Sequence, residues 1–135
     1  MNASGGYPGS EEINAGARPI AVTIFVLGFV TAAVLLLLPG NDLPTTNVWD
    51  KLEHGLVFAF LMTIGCVAFP SIRGVRRVAI TLIALGTICE VLQLVIPGRS
   101  ATAADAVANV IGIAAAIIGA WALRCRSRRR VHARG

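Results

Sequence analysis

From residue 19 to residue 38 the chain reads PIAVTIFVLGFVTAAVLLLL, nineteen uncharged residues behind a proline. As a helix they extend about 28 Å, close to the ~30 Å hydrocarbon core of a bilayer. This block constrains the fold more than any other feature. Its backbone polar groups must be satisfied within the segment itself, which in lipid means a helix. A secretory signal is the competing reading. The apolar run is too long for one, and the following LLLLPGNDLP offers no small-x-small cleavage site.

Three further blocks of the same kind follow. The expected spans are residues 19–38, 50–69, 75–96 and 103–123. The stretches PGNDLPTTN, PSIRGVRR and PGRSAT separate them, each with prolines or turn formers. Composition agrees: 56% of residues are hydrophobic and 14% charged, against about 25% charged in soluble proteins. The sequence thus predicts an all-α polytopic membrane protein, a bundle of four transmembrane helices spanning residues 19–123. A polar Gly/Ser-containing leader, 1–18, precedes it and is expected to be disordered. A basic tail, 124–135, follows. No internal repeat supports a nested inverted-repeat transporter.

Charge sets the expected orientation. The net charge is +5, and six arginines fall between residues 124 and 134. With the N-terminus inside, the inner segments carry Arg18, Arg73, Arg76, Arg77 and those six, while the outer loops carry only Lys51 and Arg99. This asymmetry predicts a multi-pass protein of the cell membrane with both termini cytoplasmic. The tail reads as an anchor against anionic lipid rather than a nucleic-acid arm, since it directly follows an apolar helix. The three cysteines, Cys66, Cys89 and Cys125, show no disulfide or metal spacing and read as free thiols.

Polar residues then collect at one end of this scheme. Asp50, Lys51, Glu53 and His54 open the second span. Glu90 and Gln93 close the third, and Asp105 and Asn109 open the fourth. Asp50 and His54 are four residues apart, as are Asp105 and Asn109; Glu90 and Gln93 are three apart. Each pair therefore shares one helix face. Glu90 stands six residues before Pro97, a depth of about 9 Å below the outer helix end, with His54 and Asn109 at similar or shallower depth. Ionisable groups inside a membrane almost always face a bundle interior or a wet cavity. An outward-opening polar pocket between the second, third and fourth helices is the expectation. Ala108 with Gly112, and Ala115 with Gly119, are small-xxx-small pairs suited to close helix packing, though an alanine-rich helix produces them equally.

The pieces DKLEH (50–54), EVLQ (90–93), PGRSAT (97–102) and DAVANVIG (105–112), in this order and on the expected helix ends, resemble the VanZ-like family of small bacterial membrane proteins. The resemblance covers roughly residues 45–123. It implies a four-helix integral membrane protein linked to the cell envelope. The family takes its name from a protein associated with resistance to teicoplanin, a lipidated glycopeptide antibiotic. It supplies candidate positions rather than a reaction.

The residues allow three functions. In the first, a binding or shielding protein, Asp50, Lys51, His54, Glu90, Gln93, Arg99, Ser100, Asp105 and Asn109 line a pocket for a lipid headgroup, an envelope precursor or a lipoglycopeptide. Arg99 suits phosphate or carboxylate, because its fork binds them bidentately. In the second, an intramembrane enzyme acts on a lipid-linked envelope substrate, with His54 and Glu90 as catalytic candidates. In the third, a structural component of a membrane complex, the polar groups only hold helices in register, through hydrogen bonds of about 0.6–2 kcal/mol each. Asp105 fits an N-terminal cap as well as the pocket. No metal or cofactor is expected: Glu53, His54, Glu90 and Asp105 include a single histidine and no thiol, and no phosphate loop or nucleophile elbow occurs. Nucleic acid is not an expected partner.

Overall fold

The computed structural model describes residues 10–38, 47–97 and 101–132, with side chains over 16–38, 51–97 and 101–126. It is all-helical. Four helices follow one another: α1 (Ser10–Leu37), α2 (Asn47–Ala68), α3 (Ile72–Gln93) and α4 (Ala103–His132). Three of them contain segments long and apolar enough to cross a membrane, Gly16–Leu37, Lys51–Ala68 and Ala103–Arg126. α3 is set apart by its charges. Arg73, Arg76 and Arg77 occupy its first turns and Glu90 its last.

Several boundaries differ from the apolar pattern, each for a local reason. Residues 10–18, expected within a disordered leader, are already helical. Ser10-Glu11-Glu12 places a capping residue and two acids where helix N-termini favour them, and the helix passes through Pro19. Residues 1–9 lie outside the described part. α3 starts at Ile72 instead of residue 75, because Ser71 caps it by accepting a hydrogen bond from the Gly74 N–H at 3.0 Å. It ends at Gln93, three residues before the expected end. Tight turns follow, Val95 N–H to Leu92 O at 3.1 Å and Ile96 N–H to Gln93 O at 3.2 Å, leading into Pro97. α4 continues to His132, so most of the basic tail extends the helix. Cations there suit the negative end of the helix dipole.

The helices alternate in direction, and two sets of contacts fix the ends. At one end Gln93 meets α1 at Leu36, His54 meets Glu90, and Lys51 meets Asp105. At the other, Arg18 of α1 donates from Nε to Ala68 O at 3.3 Å. Arg124 of α4 donates to Pro70 O at 3.2 Å and to Cys66 O at 3.3 Å. These are the terminal carbonyls of α2 and its connection to α3, which no basic residue in α2's own last turn could serve. Two neighbouring helices therefore cap a third. Replacing Arg18 or Arg124 by alanine is expected to cost about 1 kcal/mol each, read as a lower midpoint in thermal unfolding of the detergent-solubilised protein.

α2 is the hub. It touches all three other helices, most extensively α4, while α1 and α4 do not meet among the described residues. The reason lies in side-chain size. Gly55 and Ala59 on α2 face Ala108 and Gly112 on α4: a Cβ on Gly112 would collide with the Gly55 carbonyl and lie 3.1 Å from Ala59 N. The second small pair on α4 does not take part, because a Cβ on Gly119 would meet nothing within 4 Å. Phe58, Leu61, Met62 and Leu82 are fully buried in a core to which all four helices contribute. The outer faces carry large apolar side chains, among them Leu27, Phe60, Ile80, Ile111 and Trp121. Such an apolar perimeter suits lipid rather than water. Exposed threonines fit the same surroundings: Thr23, Thr63 and Thr87 donate to the carbonyls of Pro19, Ala59 and Ile83 one turn back, at 2.8–3.1 Å, leaving no hydroxyl proton unsatisfied.

Candidate functional site

The polar residues of α2, α3 and α4 do converge. His54, on α2, is 4% exposed. Its Nε2 lies 3.7 Å from Glu90 Oε1 on α3, an electrostatic contact longer than a direct hydrogen bond. Three residues earlier on α2, Lys51 Nζ lies 3.7 Å from Asp105 Oδ1 on α4. The lysine side chain is one-third exposed while the aspartate is almost fully buried. The lysine thus reaches a buried acid while its head stays near the surface.

Asp105 serves both a helix cap and an ion pair, one oxygen to each. Oδ2 accepts from the Thr102 hydroxyl at 2.6 Å and from the Thr102 N–H at 3.1 Å. The Asp105 N–H in turn donates to Thr102 O at 3.0 Å. With Thr102 just before the first residue of α4 and Asp105 three residues later, this is a form of the capping box. Oδ1 remains for Lys51.

Asn109 is buried one turn further along α4. It has room because α3 carries glycine opposite it. A Cβ on Gly86 would lie 2.8 Å from Asn109 Nδ2 and 3.2 Å from the Phe58 ring. The Asn109 Oδ1 is buried and has no hydrogen-bond partner among the described residues. Gln93, by contrast, is committed elsewhere. Its Nε2 donates to Leu36 O at 2.7 Å, supplying an orphan carbonyl at the end of α1. It joins α3 to α1.

The depths also change. α3 ends at Gln93, so Glu90 is three residues from its helix end, about 4.5 Å, rather than six. α2 begins at Asn47, which places His54 seven residues in, about 10 Å deep. The histidine, not the glutamate, is the farther from its helix terminus. Asp50 lies in the first turn of α2, but its side chain is outside the described residues, as are Arg99 and Ser100 entirely. Glu53 is exposed and borders a groove between α1 and α2. Among the described residues no three His, Cys, Asp or Glu side chains could hold a metal ion. Cys66 and Cys89 are free thiols buried in the apolar core, and Cys125 is also free.

Sequence reasoning missed Thr102, Gly86 and the Gly55–Ala59 face. Each had a local signal. Thr102 stands three residues before an acid at a helix start. Gly55 and Ala59 form a small-xxx-small pair as plain as Ala108 and Gly112. Gly86 interrupts an otherwise bulky helix.

No curated protein and no solved structure matches this chain. A family model described as VanZ/LLP1 matches residues 14–124, taking in all of the clustered residues and α1 as well, and the chain therefore belongs to the VanZ/LLP1 family.

Proposed function

We propose that the chain is a four-span protein of the cell membrane, both termini cytoplasmic, whose buried polar cluster faces outward and binds the polar head of an envelope lipid, a lipid-linked precursor or a glycopeptide of the teicoplanin kind. The observation that carries this reading is the convergence of Lys51, His54, Glu90, Asp105 and Asn109 from three helices at one end of the bundle. Arg18 and Arg124 gather at the opposite end. Apart from Arg99 in the connection between α3 and α4, the arginines stand on the segments at that end, which supports placing it in the cytoplasm and turns the cluster outward.

The chemistry suits a polar, mixed-charge head. A cation, an imidazole and two acids come together from three helices. The buried Asn109 Oδ1 costs about 1–3 kcal/mol if it meets no donor, which a ligand's hydroxyl or amide offsets. Arg99 and Ser100, four and three residues before α4 in the sequence, have the chemistry for the anionic part of such a ligand. A second reading draws on the same His54–Glu90 pair: an acid–base couple at 3.7 Å serves an intramembrane enzyme acting on a lipid-linked substrate.

One set of variants separates these readings from a purely structural role. His54→Ala, Glu90→Gln, Arg99→Ala and Asp105→Asn are expressed in a glycopeptide-sensitive bacterium, and membrane abundance is measured first. The expected result is near-normal abundance for all but Asp105→Asn, whose cap is weakened, with protection lost at least tenfold in His54→Ala and Glu90→Gln. Loss of protein in every variant identifies a register-setting cluster instead. Conversion of a labelled lipid-linked precursor by the purified protein, absent in His54→Ala, selects the enzyme. Arg99→Lys should retain binding partially if the arginine acts as a charge, and lose it if the contact is bidentate.

A further inference from the structure

We propose that the groove between α1 and α2 seats one acyl chain of a bilayer amphiphile, with its head at the His54 end. This rests on the headgroup reading of the polar cluster and adds to it a second, apolar subsite that selects lipidated ligands.

The groove has a volume of about 590 Å³. Ile24, Leu27, Leu35, Leu56 and Phe60 form its apolar walls, and Glu53 and His54 close one end. Its origin is a row of small side chains on α1. Gly28, Thr31 and Ala32 line the floor, at the i, i+3, i+4 spacing of one helix face. Across from them stands Leu61, whose Cδ2 would lie 3.0 Å from a Cβ on Gly28. A larger residue at 31 would fill the depression, and one at 28 would press on Leu61.

Length, polarity and opening specify the occupant. The α1 wall runs from Ile24 to Leu36, about 18 Å at 1.5 Å per residue. One leaflet of hydrocarbon is roughly 15 Å, half of a ~30 Å core. The groove is thus a leaflet long, apolar along its body and polar at the end where the cluster lies. It opens sideways between residues on the apolar perimeter: Leu27 is 63% exposed and Phe60 55%. A chain enters it laterally without leaving the bilayer. A helix from a partner or a second copy seated there would instead shield these residues from reagents carried in the bilayer.

The test uses purified protein in phosphatidylethanolamine–phosphatidylglycerol vesicles that contain phosphatidylglycerol with a mid-chain diazirine. After illumination, labelled peptides are mapped by mass spectrometry. The expected result is at least tenfold more label on residues 24–35 and 56–61 than on the equally exposed apolar face around Ile118 and Trp121. Thr31→Trp and, independently, Leu27→Trp, both on the perimeter and outside the cluster, should each reduce groove labelling severalfold. Label spread evenly over all exposed apolar faces overturns the proposal, and so does groove label that neither tryptophan displaces. His54→Ala keeps the two readings apart. Groove labelling that survives this change, alongside unaltered protection in cells, upholds the acyl site while removing the headgroup reading. Even labelling removes the acyl site whatever the cluster variants do.

Discussion

Gly112→Leu should leave little or no folded protein in the membrane. The added Cβ runs into the Gly55 carbonyl and the backbone near Ala59, and backbone cannot rotate away as a side chain can. Overpacking in a core costs about 1–3 kcal/mol even where side chains can give; here the two helices must separate along their whole contact. That contact is the largest in the bundle, and it brings Lys51 to Asp105. The check is the yield of monodisperse protein after detergent extraction, with Gly119→Leu as the control. A Cβ at 119 meets nothing within 4 Å, so that variant should lie within about 0.5 kcal/mol of the parent. Equal yields of the two variants would refute the close α2–α4 crossing.

The second large effect concerns the histidine–carboxylate pair. Glu90→Leu should destabilise the protein by about 1–3 kcal/mol. Removing one member of a buried pair costs about 3–5 kcal/mol in soluble proteins, and membrane-buried polar contacts are worth less, about 0.6–2. The double variant His54→Leu/Glu90→Leu should regain most of that loss, because two well-packed apolar groups replace a poorly solvated pair. It should nevertheless have lost protection in cells completely. Thermal unfolding in micelles reports the first quantity and a growth assay the second. A double variant as unstable as the single one would show that the two residues are not coupled. One that is stable and fully protective would remove the cluster from the function altogether.

Stability and function are expected to diverge here because working sites retain polar groups that an apolar core would do without. Asp105 shows the opposite arrangement, in which one carboxylate serves both ends. Its Oδ2 holds Thr102 at the start of α4, and its Oδ1 faces Lys51. Damage at this residue mixes folding with function, whereas replacing His54 and Glu90 together separates them.

What the sequence determined by itself was the pattern set by neighbours along the chain, though not every helix end or cap. Transfer of apolar blocks out of water is a local sum, so four helices and their membrane setting were legible from PIAVTIFVLGFV onward. Helical periodicity is local too, so the polar stripes at 50 and 54, 90 and 93, and 105 and 109 could be read. So could their gathering at one end, since alternating helices leave few choices. Tertiary structure alone decided the pairing across helices: His54 with Glu90, Lys51 with Asp105, and Gln93 with the Leu36 carbonyl rather than the pocket. It also opened the α1–α2 groove. These depend on how far each helix is rotated and shifted against the next, which the backbone approach at Gly55 and Gly112 and the space left by Gly28 and Gly86 set. No periodicity in a single strand of text encodes a rotation between two helices.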